Sequence, residues 1–242
     1  MILTSNSKDG FYLSLDKIGL RERIHKDNSV LIKINLARPA GAEHPRTDSA
    51  ILSDVIQYIY LNGGTCAVAE SANGYLRKNL EQAGLHEIIS SYNVKVIDLD
   101  LEEAEPVSAG GEDHYIPSCF KNYGVRIAIP AASKRPEMIF SNNVKLFVGA
   151  VPRRMYQMDN KIVDWRPRVH IDLHKSVANI FRAIQSYSPF HCFINGGLAM
   201  ADSIGEFRFN EIFVGNDGVE LDFYILEKYF DGFAIPEYLK LI

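Results

Sequence analysis

Cysteine is scarce in this chain. Cys66, Cys119 and Cys192 are the only three in 242 residues, and no two are spaced for a CxxC-type metal or cluster motif. They are also too few and too dispersed for a disulfide framework. Cys66 and Cys192 fall inside apolar runs, where a thiol serves as a small hydrophobe. No apolar run approaches the roughly 20 residues that span a bilayer, so a transmembrane helix is excluded. The opening MILTSNSKDGFYL lacks the basic start and long apolar core of a secretory signal, and a cytoplasmic protein is expected. Positive charge is not in excess: the formal net charge is −4, which argues against a dedicated nucleic-acid binder. Neither GxGxxG nor GxxxxGK(S/T) occurs, which sets aside a dinucleotide or ATP phosphate loop.

Five separated apolar stretches read as buried β-strands: Val30–Leu36, Thr65–Glu70, Val94–Asp98, Val125–Pro130 and His191–Asn195. Each ends in polar groups. In an open parallel sheet the strand carboxyl ends gather along one edge, where such folds bind ligands. Lys33, Asn35, Glu70, Asp98, Lys134 and Asn195 are therefore expected to line or approach one crevice. The first strand turns polar only towards its exit, as suits a strand covered on both faces with a functional mouth.

Helical spacing fills the intervals. Residues 12–26 read as a short amphipathic helix, and Ala50–Leu61 as a helix capped by Thr47 or Asp48 and stopped by Asn62-Gly63-Gly64. Strand, helix, strand, helix, strand implies right-handed βαβ units. The expected fold is an open, mostly parallel, doubly wound α/β sheet in a single domain, 1–242. Residues 101–114, acidic and glycine-rich, read as a solvated connection. Segment 131–168 lacks periodicity and reads as an irregular inserted lid or binding loop. His170–Ser186 returns to helical spacing; strands Phe190–Asn195 and Phe207–Gly215 and a helix from near Asp217 follow.

Several motifs, in their order along the chain, resemble the family called domain of unknown function 362, over roughly residues 28–230. VLIKINL matches its strand with Lys33 and Asn35 near the end; His44-Pro45 stands where a helix opens; an AES segment carries Glu70 and Ser71. PAASKRPEM and NVKLFVGAVP match its central block and carry over Lys134, Lys145, Gly149 and Pro152. FINGGLAMA and NDGVELD match its last motifs, giving Asn195, Asp217 and Asp222. This chain departs from the pattern in two ways. The central Thr-His is absent, with Arg135 near the expected His, and the ferredoxin-like cysteine segments of relatives are missing.

Each constellation has a chemical and a structural reading. Lys33 and Asn35 share a strand side, and an ammonium beside an amide suits a carboxylate or phosphate oxygen; the alternative is a salt bridge and a turn cap. Lys134, Arg135, Lys145, Arg153 and Arg154 deliver cations to an anion if their segment covers the crevice, and otherwise form an exposed basic loop. His170 and His174 form HxxxH, but no Glu follows the first and no third ligand is near. His170 alone as a proton shuttle is more economical, and no metal is expected. Glu70 is a general base or a turn carboxylate, and the loop after it offers N–H groups to an anion. Asp217 caps a helix, and Asp222 reads as a solvated surface carboxylate.

The combined expectation is a cofactor-independent acid–base enzyme, an isomerase, lyase or cyclase, acting on a small anionic organic molecule. Lys33, Glu70, Lys134 and His170 carry the chemistry, and Asn35, His44, Ser71, Arg135, Lys145 and Asn195 bind substrate. A non-catalytic accessory protein for a redox or biosynthetic partner is the alternative, and a metal-dependent hydrolase the next. No nucleic acid, membrane or cofactor is expected, and a homo-oligomer stays open.

Overall fold

A computed structural model describes residues 1–242 apart from 37–45, 72–73, 136–137, 159–162, 164, 202–204 and 231–233. The chain opens with β1 (Ile2–Ser5), α1 (Lys8–Lys17), α2 (Leu20–Lys26), β2 (Ser29–Ile34) and α3 (Ser49–Leu61). Next come β3 (Thr65–Glu70), α4 (Leu76–Gln82), α5 (Leu85–Ser91), β4 (Lys95–Asp98), β5 (Ala104–Ala109), β6 (Glu112–Pro117) and β7 (Val125–Ile129). Strands β8 (Ser133–Arg135) and β9 (Met138–Ser141) precede α6 (Leu173–Tyr187), β10 (Cys192–Asn195) and β11 (Leu198–Ala201). Strands β12 (Gly205–Arg208) and β13 (Ile212–Gly215), then α7 (Gly218–Tyr229) and α8 (Glu237–Lys240), end the chain.

The main sheet has seven strands in the order β1-β13-β10-β7-β2-β3-β4. Strands β10, β7, β2, β3 and β4 run parallel, and they are the five apolar stretches expected to do so. On one side β13 runs antiparallel to β10, and β1 antiparallel to β13. The alternation within β2 separates two cores. Val30, Ile32 and Ile34 face a layer with α1 to α5, whereas Leu31 faces α6, α7 and the segment after β7. Lys33 has the parity of Leu31, so a charged group enters the second layer.

Local chemistry sets the element ends. The Asp48 carboxylate accepts from the N–H groups of Ala50 and Ile51 and caps α3. Thr47 Oγ1 accepts from Asn35 N (2.8 Å) and donates to Ile129 O (2.6 Å), tying β2 to β7 at their carboxyl ends. Asp217 caps α7, as expected, by accepting from Val219 N and Glu220 N.

Three expectations need correction. The helix over 12–26 is two helices, because Gly19 turns left-handed (φ 80°) between α1 and α2. Residues 101–114 are not a bare connection: β5 and β6 pair as a hairpin across Gly110 and Gly111 (φ 60° and 81°), a turn that requires positive φ twice. The stretch 207–215 is not one strand; β12 joins a second, four-stranded sheet in the order β12-β11-β8-β9, and β13 joins the main one. Segment 131–168 supplies β8, β9 and three 3-10 turns, and its Phe140, Val144, Phe147, Val151 and Tyr156 are buried in the second core.

Candidate functional site

Carboxyl ends of β2 and β3 meet the 3-10 turn Lys145–Gly149 around a cavity of about 140 Å³. Asn35, Glu70, Ser71, Ser141, Lys145 and Arg166 are the polar residues in its wall. Adjacency of β2 and β3 puts Lys33 beside Glu70, and the Lys33 Nζ lies 3.0 Å from Glu70 Oε2. Both are sealed from water, at 0% and 3% exposure. An isolated charge in that environment would be expelled or neutralised; a hydrogen-bonded pair is retained.

Glu70 is held on both oxygens. Oε2 accepts from Lys33 Nζ and from Leu36 N (3.2 Å), and Oε1 accepts from Ser71 N (2.8 Å). Lys33 also donates to Ile34 O (2.8 Å). Burial is the main influence on the Lys33 amine and lowers its pKa, with Glu70 opposing that shift. Gly149 sits over the pair: a Cβ there would lie 3.1 Å from Glu70 Oε1 and 3.6 Å from Lys33 Nζ. A Cβ there would press on the Glu70 carboxylate, so a glycine closing this turn leaves the pair undisturbed.

Arg166 approaches from the opposite wall. Its Nη2 donates to Ser71 Oγ (2.8 Å) and lies 3.4 Å from Asp100 Oδ1, while Nε donates to Val151 O (2.8 Å). Burial lowers the guanidinium pKa, and Asp100 and Glu70 counteract that. Asp100 Oδ1 also accepts from Arg153 N (2.7 Å), and Arg154 clasps the Asp100 and Glu102 carbonyls. Asp98, opposite Glu70 in register, is half-buried, and its carboxyl pKa is raised chiefly by burial.

Lys145 differs from these neighbours. Among the described residues its amine makes neither an ion pair nor a hydrogen bond, and desolvation alone pushes its pKa down to about 8. The turn that carries it is braced from beneath. Asp222, fully buried, accepts from Asn143 N (2.9 Å), Asn143 Nδ2 (2.9 Å) and Val144 N (3.0 Å). Asn195 Oδ1 accepts from Asn143 Nδ2 (2.8 Å), and its Nδ2 donates to Asn142 Oδ1 (2.5 Å). Burial drives the Asp222 pKa up to about 7, against those hydrogen bonds.

The expected site residues thus divide. Asn35, Glu70, Ser71 and Lys145 share the cavity, and Lys33 lies behind it on Glu70. Asn195 does not line it; this side chain is completely buried and ties β10 to the Asn142-Asn143 turn. Asp222 is no surface carboxylate, because α7 turns it inward onto the same turn. Lys134 lies half-buried on β8, paired in register with Ala201, and is not part of the cavity wall. The Arg135 side chain and His44 fall outside the described residues.

His170 is exposed on a 3-10 turn, outside the cavity wall; its Nδ1–H donates to Arg166 O (2.9 Å) and its ring packs on Trp165. Helix α6 starts only at Leu173, so His170 precedes it, and His174 Nδ1 accepts from Tyr238 N (3.3 Å). No group of three His, Cys, Asp or Glu residues among the described ones could hold a metal ion. The Ser71 N–H is turned back onto Glu70, so the loop does not offer it to an anion. Arg166 and Asp100 were not anticipated. Asp100 had a signal in the repeated carboxylates of Asp98-Leu99-Asp100 at a strand exit; Arg166, inside an aperiodic stretch, had none.

A larger cavity, about 570 Å³, lies between β6 and the start of α6. None of its lining residues belongs to a strand of the main sheet, and its Lys175 and Glu112 already pair at 2.7 Å.

Fold and cavity together define a doubly wound α/β protein with its polar residues collected at the carboxyl edge of a parallel sheet. The chain belongs to the family described as a domain of unknown function (DUF362), whose model matches residues 30–227. That span contains every residue of the cavity wall. No curated protein shows a significant match to this chain.

Proposed function

We propose that the protein is a cofactor-independent acid–base enzyme of isomerase, lyase or cyclase type, acting on a small anionic organic molecule. One observation carries the reading: Lys145 places an amine without a partner among the described residues in a polar cavity at the strand ends. An amine with a pKa of about 8 is neutral for about a tenth of the time at pH 7, enough to accept a proton and later return it. Arg166 and the protonated fraction of Lys145 make the cavity positive, which favours a carboxylate or phosphate and a developing enolate-type oxyanion. Asn35 and the Ser71 hydroxyl supply neutral hydrogen bonds. The Lys33–Glu70 pair fixes the wall and holds Ser71 in place. A volume near 140 Å³ suits a molecule of about six non-hydrogen atoms, on the scale of a cavity that takes benzene.

No helix among the described residues is long and apolar enough to cross a membrane. The three thiols are all unpaired and buried, which supports a reducing, cytoplasmic setting as part of the reading.

Exchange of solvent deuterium into bound small carboxylic acids and phosphate esters tests the proposal by mass spectrometry. Incorporation into one acid by the wild-type protein, lowered at least about 100-fold by Lys145→Met, is the expected result. If no acid or ester binds or exchanges with wild-type protein, the reading is overturned.

A further inference from the structure

We infer that Lys145 is a covalent nucleophile, forming an imine with a substrate that carries a ketone or aldehyde beside its carboxylate. This inference rests on the acid–base reading above and narrows it to small 2-oxo acids.

The cavity contains two cations with different constraints. Arg166 is committed to Ser71 Oγ, Val151 O and Asp100, so it can attract an anion but cannot change its own protonation. Lys145 has no carboxylate or carbonyl engaged with its amine among the described residues. Glu70, the carboxylate in the same cavity wall, is already taken by Lys33, Leu36 N and Ser71 N. Withholding a counterion disfavours the ammonium and leaves a lone pair facing the cavity, the property that distinguishes nucleophilic from salt-bridged lysines. The turn bearing Lys145 is fixed by Asp222 on Asn143 N and Val144 N, so the amine is delivered from a rigid support.

The chemistry balances with groups on hand. The Lys145 lone pair attacks the carbonyl carbon, and an amine proton passes to the carbonyl oxygen. The oxygen then takes the second amine proton and departs as water, leaving a neutral C=N, and a solvent proton makes it an iminium. The Ser71 hydroxyl, held as an acceptor by Arg166, has its own proton directed elsewhere and can hydrogen-bond the departing oxygen. With the carboxylate near Arg166, the iminium draws electrons from the adjacent carbon and acidifies its proton, which passes to water because Lys145, now bonded to the substrate, no longer has a lone pair to accept it.

The test treats the full-length protein with pyruvate, glyoxylate or 2-oxobutyrate and sodium borohydride, followed by intact mass and peptide mapping. Binding of each acid is measured separately by calorimetry. The expected result is one adduct per chain, equal to the mass of the acid less one oxygen, on Lys145. Lys145→Arg and Lys145→Met lose it by at least about tenfold, and Lys78→Arg, an exposed lysine, keeps it. Two variants of different shape guard against one that fails to fold, and circular dichroism confirms each. If an acid binds but no adduct forms, or adducts spread over surface lysines equally, the imine is refuted while the acid–base reading stands. If a fixed adduct maps to another residue, the assignment to Lys145 is refuted. If no acid binds and none is trapped, the imine falls, and the wider set of acids and esters above decides the acid–base reading.

Discussion

Glu70 and Asp222 are both carboxylates sealed from water, and each receives three N–H donors. One of the donors to Glu70 is the Lys33 ammonium; all three to Asp222 are neutral. The first carboxylate stands in a cavity wall, and the second is closed within the core beneath β10 and α7. Their burial is alike, but the local charge differs. Glu70 is matched by a cation, so nothing further is needed from a ligand. Asp222 must rely on dipoles, and its pKa rises to about 7. Among the described residues, the amine that the cavity leaves unmatched is Lys145. Function is sought where a charge lacks its complement beside open space; where a network closes on itself, as at Asp222, the work is mechanical.

Removing the cation from the first carboxylate tests its half of the comparison most severely. Lys33→Met leaves Glu70 buried with two neutral donors and is expected to cost about 4 kcal/mol in urea unfolding. The double variant Lys33→Met/Glu70→Gln recovers more than half of that loss, since no charge remains to be solvated. A double variant as unstable as the single one would show that the pair's charge is not what stabilises the wall.

Asp222→Ala is the matching operation in the core. Three N–H donors lose their acceptor in a dry environment, and a loss of about 3 kcal/mol is expected. Here Lys145 feels the change as well, because its turn is no longer held. Hydrogen exchange at Asn143 and Val144 should quicken together with the fall in stability.

A pH-dependent signature probes Asp222 without truncating it. An unfolded aspartate titrates near 3.9, and folded Asp222 near 7. Between those values the native chain holds a proton that the unfolded chain has released. The Asp222 contribution is therefore complete below about pH 4 and fades as pH rises to about 7, with a slope of at most about 1.4 kcal/mol per pH unit. Chemical unfolding of wild type and Asp222→Asn across that window should show the slope in the first and its absence in the second. Equal profiles would mean that Asp222 stays ionised throughout.

The parallel sheet was legible because buried strands announce themselves as short apolar runs, and even the edge strand β4, with Lys95 and Val96 exposed, kept enough of that pattern. The ends of those runs, Lys33, Asn35 and Glu70, located the crevice for the same reason. Asn195 and Asp222 were misplaced because strand ends and helix starts look alike whether they face a cavity or a packed turn. Pairing across 52 and 79 residues decided between them. The Gly110–Gly111 hairpin was legible in principle, since paired glycines flanked by alternating residues mark such turns, but the surrounding acidic residues obscured it. Arg166 and the second sheet were not legible. The first lies in an aperiodic stretch, and the sheet joins two short hairpins, of strands three to four residues long, through one non-local pairing of β8 with β11.

Lys145 yields the smallest expected energy and the most direct discrimination. If its amine serves chemistry and not the fold, Lys145→Met should unfold at slightly higher urea, by about 1 kcal/mol. The figure is discounted because the side chain is only partly enclosed. The sign follows from its titration: an unfolded lysine protonates near 10.4, and this one near 8. The folded chain thus binds fewer protons between those values, and wild-type stability recovers as pH rises from about 8 to 10. The advantage of methionine should be greatest below pH 8 and shrink above it, while deuterium exchange into a bound acid is lost at every pH. A variant destabilised as Asp222→Ala is would place Lys145 among the bracing residues, and the contrast between the open cavity and the closed core would no longer hold.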